Sequence, residues 1–168
     1  MGDQPRVVQF VGYSNSGKTT LLAKLIPGLE REGIRVGVIK HDGGHDFEWD
    51  QPGKDTYRFR EAGASIVAIQ SATKTAMVEQ RPVPLQQLVK RMGEAGADLV
   101  LVEGFKREGY PKLVMLRDPS DAELLDTLSD VVAVISREQF VHPVLPVFLA
   151  DQVEEIVQFL FDIIEYSK

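Results

Sequence analysis

The stretch Gly12-Tyr13-Ser14-Asn15-Ser16-Gly17-Lys18-Thr19 decides the fold. Two glycines bracket four residues and are followed by lysine and threonine, a spacing that is typical of a loop wrapped around phosphate groups. The glycines let the backbone curl so that its N–H groups point at phosphate oxygens. Lys18 can reach the terminal phosphates, and the Thr19 hydroxyl can ligate Mg²⁺. We therefore predict a nucleotide phosphate site over Gly12 to Thr19.

The segments on both sides of this loop have the patterns that such a site requires. Residues 6–11 form a short apolar, β-branched run, which predicts a buried strand. From Lys18 onward, leucines recur at helical spacing and predict an amphipathic helix. Pro27 is expected to kink this helix or end its regular part, and Gly33 to stop it.

The rest of the chain alternates predicted strands and helices. Further strands are predicted over 35–40, 65–70, 74–79, 98–103, 113–116, 131–135 and 144–149, and further helices over 56–62, 85–92 and from an N-cap at Asp151 to the C-terminus. The short linker between 65–70 and 74–79 predicts a hairpin. The alternation predicts an α/β fold in three layers, with a mostly parallel central sheet flanked by helices. The length of 168 residues predicts a single domain, 1–168.

Composition excludes several classes of protein. The net charge of -6 argues against general binding to nucleic acid, and the absence of cysteine excludes disulfides and thiolate metal sites. No apolar run approaches the roughly 20 residues that a membrane-spanning helix needs. We expect a cytoplasmic protein that has no membrane or nucleic-acid partner.

A second acidic residue should complete the magnesium site. In parallel sheets ligands bind beyond the carboxyl ends of the strands, so Gly12, Lys40 and Glu103 should face one site. Glu103 ends the most apolar strand, and we predict that it holds the metal together with Thr19. Lys18 and Glu103 are the predicted catalytic residues. Asp98 begins the same strand about 16 Å away and is expected to be solvated there.

The polar loop over 41–55 has two interpretations. It is either a switch segment, in which Asp42 contacts magnesium-bound water or Lys54 contacts phosphate, or a solvated acidic loop. His41 and His45 would suit a metal only on a helix, which Gly43-Gly44 disfavours. Trp49 is expected to pack rather than to offer a stacking surface.

At a few segments the sequence resembles a known family. These segments are the loop 12–19, Ile39-Lys40-His41 followed by His45, Asp50-Gln51-Pro52-Gly53-Lys54-Asp55-Thr56, Gly63-Ala64 and Val102-Glu103-Gly104-Phe105-Lys106. Together they resemble MobB, the family of GTP-binding adapter proteins of molybdopterin-guanine dinucleotide biosynthesis. The resemblance runs from about Val7 to Lys112 and is weaker beyond.

The resemblance implies a P-loop NTPase fold, GTP with Mg²⁺ as ligands, weak GTPase activity and a homodimer. It also implies partnership with the molybdopterin guanylyltransferase, a MobA-like enzyme, and with other molybdenum cofactor proteins. The nucleotide contacts expected from the loop pattern and the resemblance together are Gly12, Tyr13, Ser14, Asn15, Ser16, Gly17, Lys18, Thr19, Thr20, His41 and Asp42. Family members often carry a denser histidine cluster than the one here. No Asn-Lys-x-Asp guanine motif is present, so GTP over ATP rests on the resemblance alone, and Ser136, Arg137 and Asp151 are candidate base contacts.

Two alternatives stay open. A small-molecule kinase uses the same phosphate loop, and Arg58, Arg60 and Arg107 would then clamp the transferred phosphate. A nickel-insertion GTPase is disfavoured because the chain has no cysteine and no histidine-rich arm. If the protein hydrolyses GTP, we expect slow turnover by charge neutralisation, since no arginine finger is evident.

Overall fold

A computed structural model describes residues 4–44 and 46–165. His45 lies outside the described residues, so the structure does not bear on its predicted role. The described chain forms two compact units. The first unit comprises the segments before Asp42 and after Pro84, and the second is Asp42–Pro84.

The first unit contains six strands and four α-helices among the described residues. The strands are β1 Arg6–Val11, β2 Val36–Lys40, β5 Leu99–Glu103, β6 Lys112–Leu116, β7 Val131–Ser136 and β8 Val147–Leu149. The helices are α1 Lys18–Arg31, α3 Leu85–Glu94, α4 Glu123–Thr127, which follows a 3₁₀ turn at Pro119–Ala122, and α5 Val153–Glu165. The second unit contains α2 Asp55–Glu61, β3 Ile66–Gln70 and β4 Thr75–Glu79.

The six strands of the first unit form one parallel sheet in the order β2-β5-β1-β6-β7-β8. One face of this sheet packs on α1 and α5, and the other face packs on α3 and α4. Both faces are therefore buried, which explains why β1, β5 and β6 are apolar throughout most of their length. The predicted three-layer α/β fold with a parallel central sheet is confirmed.

Most helix and strand ends lie within two residues of the prediction, and three differences have a clear physical meaning. α1 continues through Pro27 to Arg31, because Gly28 and Leu29 pack in the core and offset the missing backbone bond. α5 begins at Val153, and its first helical bond runs from Ile156 N to Gln152 O. Gln152, rather than Asp151, therefore occupies the N-cap position. β8 is limited to three residues after Pro146.

The second unit pairs a short helix with the predicted hairpin. β3 and β4 are antiparallel, with Val67 opposite Val78 and Ile69 opposite Ala76 on one face. These four residues line a cavity together with residues of α2. Trp49 also lines that cavity but is 68% exposed, so the expectation that it packs in a core is wrong.

Candidate phosphate and magnesium site

The loop between β1 and α1 has the backbone shape that its glycines predict. A Cβ at Gly12 would lie 2.6 Å from the carbonyl oxygen of Met115, so β6 passes too close for any side chain there. Gly17 adopts a φ of 95° immediately before α1. α1 has no acidic residue in its first turn. The positive end of the helix is therefore available to an anion.

Lys18 folds back over this loop. Its Nζ donates hydrogen bonds to the carbonyl oxygens of Gly12 and Tyr13, at 3.1 and 2.8 Å, and to the Ser16 hydroxyl at 3.2 Å. Burial lowers the pKa of Lys18, and the carboxylate of Glu103 partly opposes that shift. The lysine charge is thus held at the mouth of the loop by weak neutral acceptors, which a phosphate oxygen can replace with a stronger charge-assisted bond.

Thr19 and Glu103 meet at the end of the sheet. The Thr19 hydroxyl lies 3.1 and 2.9 Å from the two carboxylate oxygens of Glu103. Lys40 Nζ lies 3.8 Å from the same carboxylate, because Lys40 and Glu103 are partners in the β2–β5 register. A hydroxyl and a carboxylate in contact are oxygen donors of the kind that Mg²⁺ prefers, so these residues fit that ion. The structure brings Gly12, Lys40 and Glu103 to one edge, as predicted.

A buried glutamine organises the turn after Glu103. Gln9 Nε2 donates to the carbonyl oxygens of Gly104 and Phe105, at 3.0 and 2.8 Å, and Tyr110 N donates to Gln9 Oε1. Phe105 has a φ of 55°, which a bulky residue adopts only when its surroundings hold it there. The sequence analysis missed Gln9, although a polar residue inside an apolar strand is itself a signal that a nearby loop needs hydrogen-bond partners.

Tyr13 is clamped by two cations. Lys106 and Arg117 lie over its ring, at 5.1 and 4.8 Å from the centroid, and its hydroxyl donates to Glu123 at 2.9 Å. Arg117 in turn pairs with buried Asp121, and that pairing lowers the pKa of Asp121 to about 2. This clamp therefore anchors Tyr13, the residue after Gly12 in the phosphate loop, to residues on both sides of β6 in the sequence.

Arg137 lies against the phosphate loop. One of its terminal nitrogens donates to the carbonyl oxygen of Asn15 at 2.7 Å, and the guanidinium is 3.2 Å from where a Cβ of Gly17 would be. Asn15 has a φ of 61°, so this bond supports a left-handed position of the loop. The sequence analysis offered Arg137 as a base contact; its observed partner is the loop backbone.

The other predicted contacts are placed as follows. Ser14 and Thr20 are exposed at the loop and in the first turn of α1, and Ser16 is buried. His41 N donates to the carbonyl oxygen of Glu103 at 2.9 Å, and its ring lies 4.6 Å from that of Phe105. Asp42 is exposed and belongs to the second unit. The nucleotide-binding roles of these residues stay predictions.

Comparison with known proteins assigns the family. Residues 7–137 match the family described as "Molybdopterin guanine dinucleotide synthesis protein B". The molybdopterin-guanine dinucleotide biosynthesis adapter protein of Escherichia coli is 46% identical over 116 residues, which are 67% of this chain and 66% of that relative. The Haemophilus influenzae adapter protein is 42% identical over 136 residues, 80% of this chain and 76% of that one.

A solved structure agrees over nearly the whole chain. The crystal structure of Bacillus subtilis MobB superimposes with a TM-score of 0.79 and 32% identity, and covers 94% of this chain and 96% of that one. The family match spans most of the chain and includes the phosphate loop, Thr19 and Glu103. The chain belongs to the MobB family and has its P-loop NTPase fold.

Proposed function

We propose that this chain is a nucleotide-dependent adapter in molybdopterin-guanine dinucleotide biosynthesis, which binds GTP with Mg²⁺ and assists the guanylyltransferase. The observation that supports the proposal is the position of Lys18 over the loop and the contact of Thr19 with Glu103, in a chain of this family. The relatives are described as adapter proteins and not as kinases, which favours this function over phosphoryl transfer to a small molecule. The cytoplasmic location stays part of the proposal. None of the helices within 4–44 and 46–165 is long and apolar enough to cross a membrane.

The residues at the loop define what the site does with a triphosphate. Lys18 exchanges its neutral acceptors for phosphate oxygens, and the backbone N–H groups of the loop hold the remaining charge. Thr19 and Glu103 are the residues that would hold Mg²⁺, which neutralises phosphate charge when bound. None of these groups is placed as a general base, so we expect slow hydrolysis and a role for the bound nucleotide in partner affinity.

The first test is an affinity measurement with the guanylyltransferase from the same organism. We expect the complex to form more tightly with GTP and Mg²⁺ than with ATP and Mg²⁺ or without nucleotide, and the rate of molybdopterin-guanine dinucleotide formation to rise when the adapter is added. Biolayer interferometry and a product assay by liquid chromatography measure the two effects. An absence of both effects with folded protein contradicts the proposal.

We also propose a homodimer through the outer face of the hairpin. This face carries Ile66, Ala68 and Met77 between Glu79 at one end and Gln70 with Thr75 at the other, and Ile66 and Met77 are 55% and 61% exposed. A two-stranded sheet is marginal alone, and here residues of α2 lie on the opposite face, around the cavity. A second copy of the chain would cover Ile66, Ala68 and Met77 with the same three apolar residues, as two-fold symmetry allows.

Light scattering after size-exclusion chromatography tests the dimer. We expect a mass of twice the 18.7 kDa of the chain for the wild type, and a monomer for Met77→Glu, because a charge would be buried between two apolar faces. Lys74→Glu, in the turn of the same hairpin, is the matched control and should remain dimeric. A monomeric wild type, or a dimeric Met77→Glu variant, would rule out this interface.

A further inference from the structure

The second unit contains a cavity that the phosphate site does not use. It has a volume of about 170 Å³ and lies between α2, the inner face of the hairpin and the loop before α2. This volume is below the roughly 300 to 1,000 Å³ of pockets for drug-sized ligands, so it suits one small ring system.

Aliphatic side chains and one indole ring are among the groups that line the cavity. Val67 and Ile69 of β3, with their partners on β4, form one wall. Trp49 lines another side of the cavity. It is 68% exposed, whereas tryptophan residues are highly buried on average. An aliphatic wall and an indole are the surfaces between which a planar heterocycle stacks.

Arg60 supplies an unused hydrogen-bond donor. Its side chain is only 11% exposed, and one terminal nitrogen pairs with Glu48. Its Nε is buried and has no hydrogen-bond partner among the residues that the structure describes. A buried donor without an acceptor is costly, so a small rotation of the Arg60 side chain that turned Nε toward an acceptor atom of a ligand in the cavity would relieve that cost.

Asp50 supplies the complementary acceptor. Its carboxylate lines the cavity, and Oδ1 accepts from Gln51 N at 2.9 Å. A hydrogen bond from Thr56 lowers the pKa of Asp50, so the group stays ionised and can only accept. A carboxylate has about four acceptor positions, and two parallel N–H groups of a ligand can still bind to it.

We propose that this cavity binds the 2-amino-4-oxopyrimidine edge of a pterin, with Asp50 accepting from the ring N–H and amino groups, Arg60 Nε donating to the ring oxygen and Trp49 stacking on the ring. The donor and the acceptor match the hydrogen-bonding groups of that edge, and the aliphatic side chains and the indole match the faces of the ring. The choice of a pterin over guanine, which has the same edge, rests on the proposed function, because the product of that synthesis contains a pterin.

The single tryptophan makes the test direct. The chain has one tryptophan, Trp49, so its fluorescence reports on this cavity. Neopterin added to the full chain should quench that emission to saturation. The lumazine that carries the same 6-trihydroxypropyl side chain as neopterin has an oxygen in place of the 2-amino group, and it should bind at least about tenfold more weakly, since one charge-assisted hydrogen bond is lost. Equal quenching by lumazine and neopterin, or no saturable quenching by neopterin, overturns the proposal.

Variants separate recognition by the edge from nonspecific stacking. Asp50→Asn should weaken neopterin binding at least about tenfold, and Arg60→Lys, which keeps the charge beside Glu48 but removes Nε, should weaken it severalfold. Asp46→Asn, an exposed carboxyl of the same unit that does not line the cavity, is the control and should bind neopterin as the wild type does. Circular dichroism checks that each variant is folded. Unchanged affinity in folded Asp50→Asn overturns the proposal.

The last comparison distinguishes this inference from the proposed function. Guanosine that quenches as strongly as neopterin and competes with it would show that guanine is the occupant, and would overturn the pterin assignment. A wild type that stimulates the guanylyltransferase but shows no quenching by neopterin leaves the proposed function standing and removes the cavity site. Quenching that depends on Asp50, in a protein that forms no guanylyltransferase complex, supports the cavity site and contradicts the proposed function.

Discussion

Replacing Lys18 with alanine is expected to lower the affinity for GTP with Mg²⁺ by at least about a hundredfold. Among residues 4–44 and 46–165, the lysine Nζ bonds only to neutral oxygens of its own loop, so phosphate oxygens can replace all three partners. The loss of two charge-assisted hydrogen bonds to phosphate, worth roughly 1.5 kcal/mol or more each, corresponds to that hundredfold decrease in affinity. Isothermal titration calorimetry with GTP and with ATP measures it and also reports which base is preferred.

Lys24→Ala is the control for this substitution. Lys24 is an exposed lysine of the same helix, so its replacement by alanine removes an equal charge from α1 without changing the phosphate loop. We expect wild-type affinity for this variant. Because burial lowers the pKa of Lys18, its ammonium group loses its proton at a lower alkaline pH than that of an exposed lysine. The affinity of the wild type for GTP should therefore begin to fall at that lower pH. Equal GTP affinity of Lys18→Ala and Lys24→Ala would mean that the loop does not bind the triphosphate.

The sequence predicted the parts of the site that depend on local pattern. The glycines at 12 and 17 predict a backbone that the structure shows, with Met115 too close to Gly12 for a side chain. Glu103 could be identified because the carboxyl ends of parallel strands meet at one edge. The register then places Glu103 opposite both Phe10 and Lys40, so the convergence follows from topology and needs no motif.

The parts that the sequence did not predict depend on contacts between distant residues. The clamp on Tyr13 joins residues about a hundred positions apart, and the bond from Arg137 to Asn15 spans 122 positions. No periodicity or spacing encodes such pairs. The exposed position of Trp49 was missed for a related reason, since a cavity forms only when the hairpin and α2 come together.

Glu103→Gln is expected to separate metal binding from phosphate binding. In wild-type protein Mg²⁺ should strengthen GTP binding by at least about tenfold, because Thr19 and Glu103 offer it oxygen ligands beside the phosphates. Glutamine keeps the shape and a hydrogen-bond acceptor for Thr19 but removes the charge. The increase in GTP affinity that Mg²⁺ causes should therefore fall from about tenfold to about twofold or less. This decrease corresponds to roughly 1 kcal/mol of lost charge interaction.

The same substitution should have the opposite effect when Mg²⁺ is removed with EDTA. The wild-type carboxylate then lies in contact with Thr19 beside the phosphate loop, and its negative charge repels the triphosphate. We expect Glu103→Gln to bind GTP in EDTA at least as tightly as wild type, which a merely misfolded loop would not do. Asp98→Asn, at the opposite end of β5, is the control and should behave as wild type under both conditions. If Glu103→Gln weakens GTP binding equally with and without Mg²⁺, Glu103 shapes the loop and does not hold the metal.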